Sequence, residues 1–362
     1  MGVEGRAGQE AYRSRVRGCL VGGAVGDALG APVEFRSLAA IRAEHGPDGV
    51  RDLIPGADGV AVVTDDTQMT LFTAEGLIRA GVRADRGICH PPSVVHQAYL
   101  RWLATQELPG PPEQPSGWLA GQAFLYARRA PGNACLSGLA GGTMGTPEAP
   151  RNPDSKGCGA VMRSAPFGLI PWRSPEQAFD LAAECAVQTH GHPTGYLAAG
   201  VFAAIVRFLL DGHDLAGAVA ATLPVLAARP GHEETTAALR AALAAAERPP
   251  SAEAVEALGG GWVAEEALAI GVYAALAAPP RAALLLSVNH SGDSDSTGSI
   301  CGNLLGAEHG ETALPPDWVA EIEGRGVILQ VADDLAAEFT QSGQLHGDWG
   351  PHTRWKRRYP GG

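Results

Sequence analysis

The stretch VRGCLVGGAVGDALGA, Val16–Ala31, decides what kind of fold this chain can adopt. Gly18, Gly22, Gly26 and Gly30 recur every fourth residue in an otherwise helix-compatible segment, which puts them on one face of a helix. In a helix interior each glycine costs about 0.8–1 kcal/mol relative to alanine, so four cost roughly 3–4 kcal/mol. A stripe without side chains offsets that cost when another helix or a ligand approaches the backbone closely. Asp27 and Glu34 bracket the end of the segment, and Glu34 lies just past Pro32, where a helix should have stopped.

Outward from this helix, the chain keeps the same period. Ile300, Cys301, Leu304 and Leu305 fall at i, i+1, i+4 and i+5. Val201, Ile205, Phe208 and Leu209 recur at helical spacing, and Phe72, Leu77 and Ile78 fit it less cleanly. Ala216–Leu223 and Thr235–Ala246 are alanine-rich, which suits helices and disfavours strands. Val60–Val63 is the one short stretch with strand character. Pro109–Pro115 and Gly145–Pro153 read as loops too short to link domains. The expectation is one compact all-α domain over residues 16–345. A polar tail (1–15) precedes it and a basic tail (346–362, with Arg354, Lys356, Arg357 and Arg358) follows, either solvated or bound to a phosphate-rich partner.

Composition narrows the function. The chain has 362 residues, 45% hydrophobic and 18% charged, which excludes disordered and fibrous classes. Twenty-seven basic against 39 acidic residues give a net charge of −12, which disfavours anionic membranes and long nucleic acids as partners. No apolar run follows the N-terminal arginines, so no secretory signal is expected, and Tyr196–Val206 and Ala267–Ala278 are too short to cross a bilayer. The six cysteines show no close spacing. Reduced thiols and a cytoplasmic location are the expectation.

The strongest chemical signal is a pair of acidic clusters at helix starts. Thr64-Asp65-Asp66-Thr67 precedes the helix beginning near Met69, and Asp293-Ser294-Asp295-Ser296-Thr297 precedes the one holding Ile300. One acidic or hydroxyl residue suffices to cap a helix. Two carboxylates with hydroxyls, occurring twice, exceed that need. Brought together, the four would repel unless cations neutralised them, and such hard oxygen donors suit Mg²⁺ or Mn²⁺. Two separate caps remain the alternative on these residues alone. An EF-hand fails because Leu304 stands where its bidentate Glu is needed. A Walker A motif, a His-Glu-x-x-His motif and a Gly-x-Ser-x-Gly elbow are all missing.

Five blocks in order carry a resemblance. Gly18–Gly30 with Glu34, Thr64–Thr67, Gly157-Cys158-Gly159-Ala160-Val161-Met162-Arg163, Thr189-His190 and Gly292–Ser296 together resemble the ADP-ribosylglycohydrolase family, over roughly Arg17 to Ala307. The resemblance implies a compact orthogonal helical bundle with two Mg²⁺ or Mn²⁺ ions in a central cleft. Thr64, Asp65, Asp66, Asp293, Asp295 and Ser296 would be ligands, with Glu34 a nearby ligand or gate. Thr is commoner in the family where Ser296 stands, so Thr297 is an alternative hydroxyl. Asn is commoner where Cys158 stands. The implied reaction is hydrolysis of the bond between ribose C1″ of ADP-ribose and its acceptor, with Asp65, Asp66 or Glu34 taking the proton of the attacking water. The pyrophosphate would rest on backbone N–H groups of Ser155, Lys156, Gly157, Cys158 and Gly159, aided by the Lys156 side chain, and His190 would hydrogen-bond the ligand. The substrate would be an ADP-ribosylated protein side chain, a small ester or nucleic acid. An inactive, crystallin-like binding or structural protein on the same fold is the alternative.

Overall fold

A computed structural model describes residues 5–347 and 353–361. From the N-terminus, α1 (Arg6–Gly30), α2 (Leu38–His45), α3 (Asp65–Ala84) and α4 (Pro91–Glu107) precede two short helices, α5 (Asn133–Ala140) and α6 (Ala165–Gly168). Then follow α7 (Pro175–Ala186), α8 (Pro193–Leu210), α9 (Leu215–Ala227), α10 (Glu233–Ala246) and α11 (Ala252–Glu256). The remainder comprises α12 (Ala264–Ala277), α13 (Pro280–Val288), α14 (Ser294–His309), α15 (Pro316–Glu321), α16 (Arg325–Leu345) and α17 (Arg354–Arg358). No strand occurs among the described residues. The Val60–Val63 stretch contributes one isolated bridge, from Ala61 to Ile322.

The glycine stripe is a helix contact. Gly18, Gly22, Gly26 and Gly30 of α1 lie against Gly306, Gly302, Gly298 and Ser294 of α14, so the two helices run antiparallel with backbone on backbone. A Cβ at Gly18 would come within 2.6 Å of the Gly306 carbonyl oxygen, and the other seam glycines leave still less room. The direction matters for function, because the C-terminal end of α1 meets the N-terminal end of α14. Helix α3 packs on α1 and α14, and α12 closes α14 from the side.

The core behind this pair is apolar and continuous. Val201, Phe202, Ile205 and Leu209 of α8 are fully buried, as are Phe72 and Ile78 of α3 and Ile300, Cys301 and Leu304 of α14. Helix α8 runs past the apolar stretch Tyr196–Val206 at both ends, and its 18 residues match a bilayer in length and hydropathy. However, 83% of α8 is buried inside the protein, so its apolarity serves the core. All six cysteines are free.

Both tails differ from expectation where they are described. Helix α1 starts at Arg6, because its polar first half is pinned to α16. Arg13 and Arg17 each donate to Asp333, with shortest distances of 2.6 Å. Residues 1–4, 348–352 and 362 of the expected tails lie outside the described residues. Residues Arg354–Arg358 form α17, which docks through Lys356 and Arg358 while Arg354 and Arg357 stay exposed. Arg358 donates to Asp334 at 2.8 Å, the Tyr359 hydroxyl donates to the same carboxylate at 2.6 Å, and Lys356 and Tyr359 are buried.

Candidate active site

Three helix ends converge on one cavity of about 440 Å³. The C-terminal end of α1 is fastened to the N-terminal end of α3 by Asp27. That side chain is fully buried, and its oxygens accept from Thr64 N (3.0 Å), Thr64 Oγ1 (2.9 Å), Thr67 N (3.1 Å) and Thr67 Oγ1 (2.5 Å). Thr64 thereby becomes the N-cap of α3, and Asp65 and Asp66 of its first turn line the cavity. Asp293 is the N-cap of α14, accepting from Ser296 N at 3.2 Å, while Asp295 and Ser296 line the same cavity. Each acidic cluster therefore supplies one cap, and carboxylates beyond it that line one cavity. Glu34 follows α1 in a turn whose N–H donates back to Gly30 at 3.0 Å, and it completes the acidic wall.

The carboxylates are buried together. Asp65, Asp66 and Asp295 are each at most 4% exposed. Burial first, and then the charge of Asp295, pushes Asp65 and Asp66 well above the usual carboxylate range. Asp295 is raised well above it by burial and then by Asp293. Burial and Asp295 push Glu34 up to about 9. Oxygens of Glu34, Asp293 and Asp295 lie within 4.8 Å of one another, and Asp66 Oδ1 is buried with no hydrogen-bond partner. The positive ends of α3 and α14 face this group but supply only partial charge. An orphan oxygen in a set of hard donors fits a divalent cation.

The remaining walls come from loops. Residues 157–159 are held by a bridge to residue 263, and His190 lies behind them. Burial, aided by Arg163, lowers His190 to about 3, so its ring is neutral. Its Nδ1 shares a 2.8 Å hydrogen bond with Thr189 Oγ1, which accepts from Arg163 at 2.7 Å. The structure brings Glu34, Asp65, Asp66, Asp293, Asp295, Ser296, Gly157, Cys158, Gly159 and His190 to the cavity. Thr64 lies just outside its lining, with its hydroxyl proton committed to Asp27. Thr297 is directed elsewhere, donating to the Ser287 carbonyl at 2.7 Å, so Ser296 is the hydroxyl on the cavity.

Ser155 and Lys156 do not line the cavity. The Lys156 ammonium donates to Glu234 (2.8 Å) and Glu265 (2.7 Å), which turns it away from any ligand between α3 and α14. The Ser155 N–H is given to Asn152 and the Cys158 N–H to Trp262, so two of the five N–H groups expected to meet phosphate are already used.

Several lining residues escaped the sequence reading. Arg128 is the only arginine or lysine among them, and Gly132 N–H donates to Asp65 at 3.3 Å. Phe35 and Trp262 stack at the mouth with centroids 5.1 Å apart, and both are exposed. Phe35 holds φ of 64°, unusual for a bulky residue, and its N–H donates to the Gly292 carbonyl. A large aromatic next to Glu34 was the available signal for Phe35, whereas nothing in the sequence ties Arg128 to Asp65, 63 residues earlier.

Known proteins resemble the chain over most of its length. The family model described as ADP-ribosylglycohydrolase matches residues 8–344. The chain is 25% identical over 316 residues to the ADP-ribosyl-[dinitrogen reductase] glycohydrolase of Rhodospirillum rubrum, covering 85% of this chain and 90% of that protein. It is likewise 25% identical over 345 residues to the ADP-ribosylarginine hydrolase Tri1 of Pseudomonas putida, covering 91% and 80%. Among solved structures, one titled ADP-ribosylglycohydrolase-related protein complex superposes with a TM-score of 0.64 at 25% identity. That match covers 91% of this chain and all of the other.

Proposed function

This chain belongs to the ADP-ribosylglycohydrolase family, and on that premise we propose that it is a divalent-cation-dependent hydrolase that releases ADP-ribose from modified protein side chains. The observation that carries the reading is the convergence of five carboxylates, Glu34, Asp65, Asp66, Asp293 and Asp295, on one cavity with an unpartnered Asp66 oxygen. Asp65, Asp66, Asp293, Asp295 and Ser296, with Thr64 beside them and Glu34 at the edge, would hold two Mg²⁺ or Mn²⁺ ions. Bound there, such ions would offset the clustered negative charge and orient ribose hydroxyls.

The chain's own groups then have distinct tasks. Cleavage at C1″ passes through an oxocarbenium-like state, and buried carboxylates around the anomeric carbon stabilise its positive charge. Asp65, Asp66 or Glu34 would accept the proton of the attacking water. Arg128 on the rim, together with the N–H groups of Gly157 and Gly159, suits the pyrophosphate, and neutral His190 acts behind that loop as a hydrogen-bonding partner. Arginine is the first acceptor to examine, since the names of two relatives specify an ADP-ribosylated arginine or dinitrogen reductase as substrate.

The test is a hydrolysis panel over arginine-linked, serine-linked, O-acetyl and nucleic-acid ADP-ribose, with and without a chelator. Turnover with Mg²⁺ or Mn²⁺, its loss with chelator, and a drop on the order of 10³-fold or more in Asp295→Asn with unchanged circular dichroism are expected. Tight ADP-ribose binding without turnover on any linkage would sink the hydrolase reading and leave a binding protein.

A further inference from the structure

One side chain in the cavity has chemistry that hydrolysis does not use. Cys158 begins a tight turn, Cys158–Ala160, and lines the cavity with the carboxylates. Its Sγ donates to Asp293 Oδ2 at 2.7 Å, so the sulfur is in contact with a member of the Glu34, Asp293 and Asp295 cluster. Independently, Asp66 lines the same cavity, is 2% exposed and keeps Oδ1 without a partner. Sulfur and an open carboxylate oxygen thus line one cavity. Hard cations such as Mg²⁺ take oxygen donors and leave sulfur alone. Zn²⁺ and Co²⁺ accept a thiolate and carboxylates in one tetrahedral set.

We propose that Cys158 is a metal ligand, so that this cleft binds a thiophilic divalent cation through Cys158 Sγ and the carboxylates of Asp293 and a neighbouring aspartate. The inference rests on the divalent-cation reading of the cleft and adds which cations it prefers. On binding, the Sγ–H bond is replaced by an Sγ–metal bond and the proton leaves to water, as for any coordinated thiol. Cys135, the other cysteine near the cavity, directs its Sγ at the Gly159 carbonyl at 3.7 Å and takes no part.

The full chain, stripped of metal, is titrated with Co²⁺ and followed by absorption and equilibrium dialysis. The expected result is a sulfur-to-cobalt charge-transfer band in the near ultraviolet beside the visible ligand-field bands. That band should vanish in Cys158→Ser and Cys158→Ala and persist in Cys135→Ser, each checked for fold by circular dichroism. Zn²⁺ affinity should fall at least about tenfold in Cys158→Ser while Mg²⁺ affinity changes far less. Bound cobalt without the charge-transfer band, or a band that survives Cys158→Ser, overturns the sulfur ligand and leaves the cation site standing. Failure to retain Co²⁺, Mn²⁺ or Zn²⁺ at all overturns the cation reading of the cleft, and the ligand with it.

Discussion

The α1–α14 seam and the cleft at its end are built from the same two helices but solve opposite problems. Along the seam, Gly18, Gly22, Gly26 and Gly30 bring backbone against backbone, and no side chain stands between. At the end, side chains crowd in, and buried carboxylates face one another with too few donors. Asp27 marks the border. It is as buried as Asp66, yet its oxygens accept from the N–H and hydroxyl groups of both Thr64 and Thr67. Burial raises Asp27 to about 6 against the pull of those hydrogen bonds, whereas burial and the charge of Asp295 push Asp66 well above the usual carboxylate range. A buried carboxylate is thus structural or reactive according to how many donors surround it.

The most severe way to break this contrast is at the seam. Gly26→Ala or Gly302→Ala should lower unfolding free energy by about 3 kcal/mol or more, read from urea midpoints, because rigid backbone blocks the new methyl. Gly326→Ala, in a helix with nothing within 4 Å of the added Cβ, should instead be neutral or stabilising by up to about 1 kcal/mol. Equal effects at the two places would mean the seam is not a backbone contact.

Next in size is a pair with opposite signs. In metal-free protein, Asp27→Ala leaves buried donors of Thr64 and Thr67 unpaired and should cost about 2–3 kcal/mol. Asp295→Asn removes one charge from a repelling group and should raise stability by about 1 kcal/mol, measured by the same unfolding curves. The cleft carboxylates bind protons more tightly folded than unfolded. The contribution of these groups to metal-free stability is therefore fullest below about pH 4 and is lost as pH rises to about 6 for Asp27 and about 9 for Glu34. Added Mg²⁺ or Mn²⁺ should flatten that decline in thermal melts.

The glycine period and the acidic clusters were legible in the sequence because each follows a local rule: a spacing of four, and an excess over what a cap needs. That α1 and α14 are partners was not legible, since a glycine stripe favours a close helix contact without naming the helix that makes it. Lys156 shows where local reasoning fails. Beside a glycine loop it suggests a phosphate contact, but Glu234 and Glu265, remote in sequence, capture its ammonium. The basic end of the chain failed likewise, since Asp334 on α16 gives Arg358 and Tyr359 a buried anchor.

The smallest expected effect follows from that correction. Lys156→Ala should change KM for an ADP-ribosylated substrate less than about threefold and cost under about 1 kcal/mol, as a partly exposed ion pair does. Arg128→Ala, on the cavity itself, should raise KM about tenfold, since a charged hydrogen bond is lost. A larger KM effect from Lys156 than from Arg128 would reverse the assignment of the anion-facing side.

The two walls of the cleft differ in what change they tolerate. The acidic wall is mounted on a seam where adding one carbon at any turn collides with main chain. The opposite wall, Arg128 to Ala134, is a loop leading into a short helix. Diversification among descendants of this chain is therefore channelled. On the proposed function, the carboxylates that would break the bond stand on a frame that admits almost no change, while the rim that would meet the acceptor can change one residue at a time, altering what is released without disturbing how.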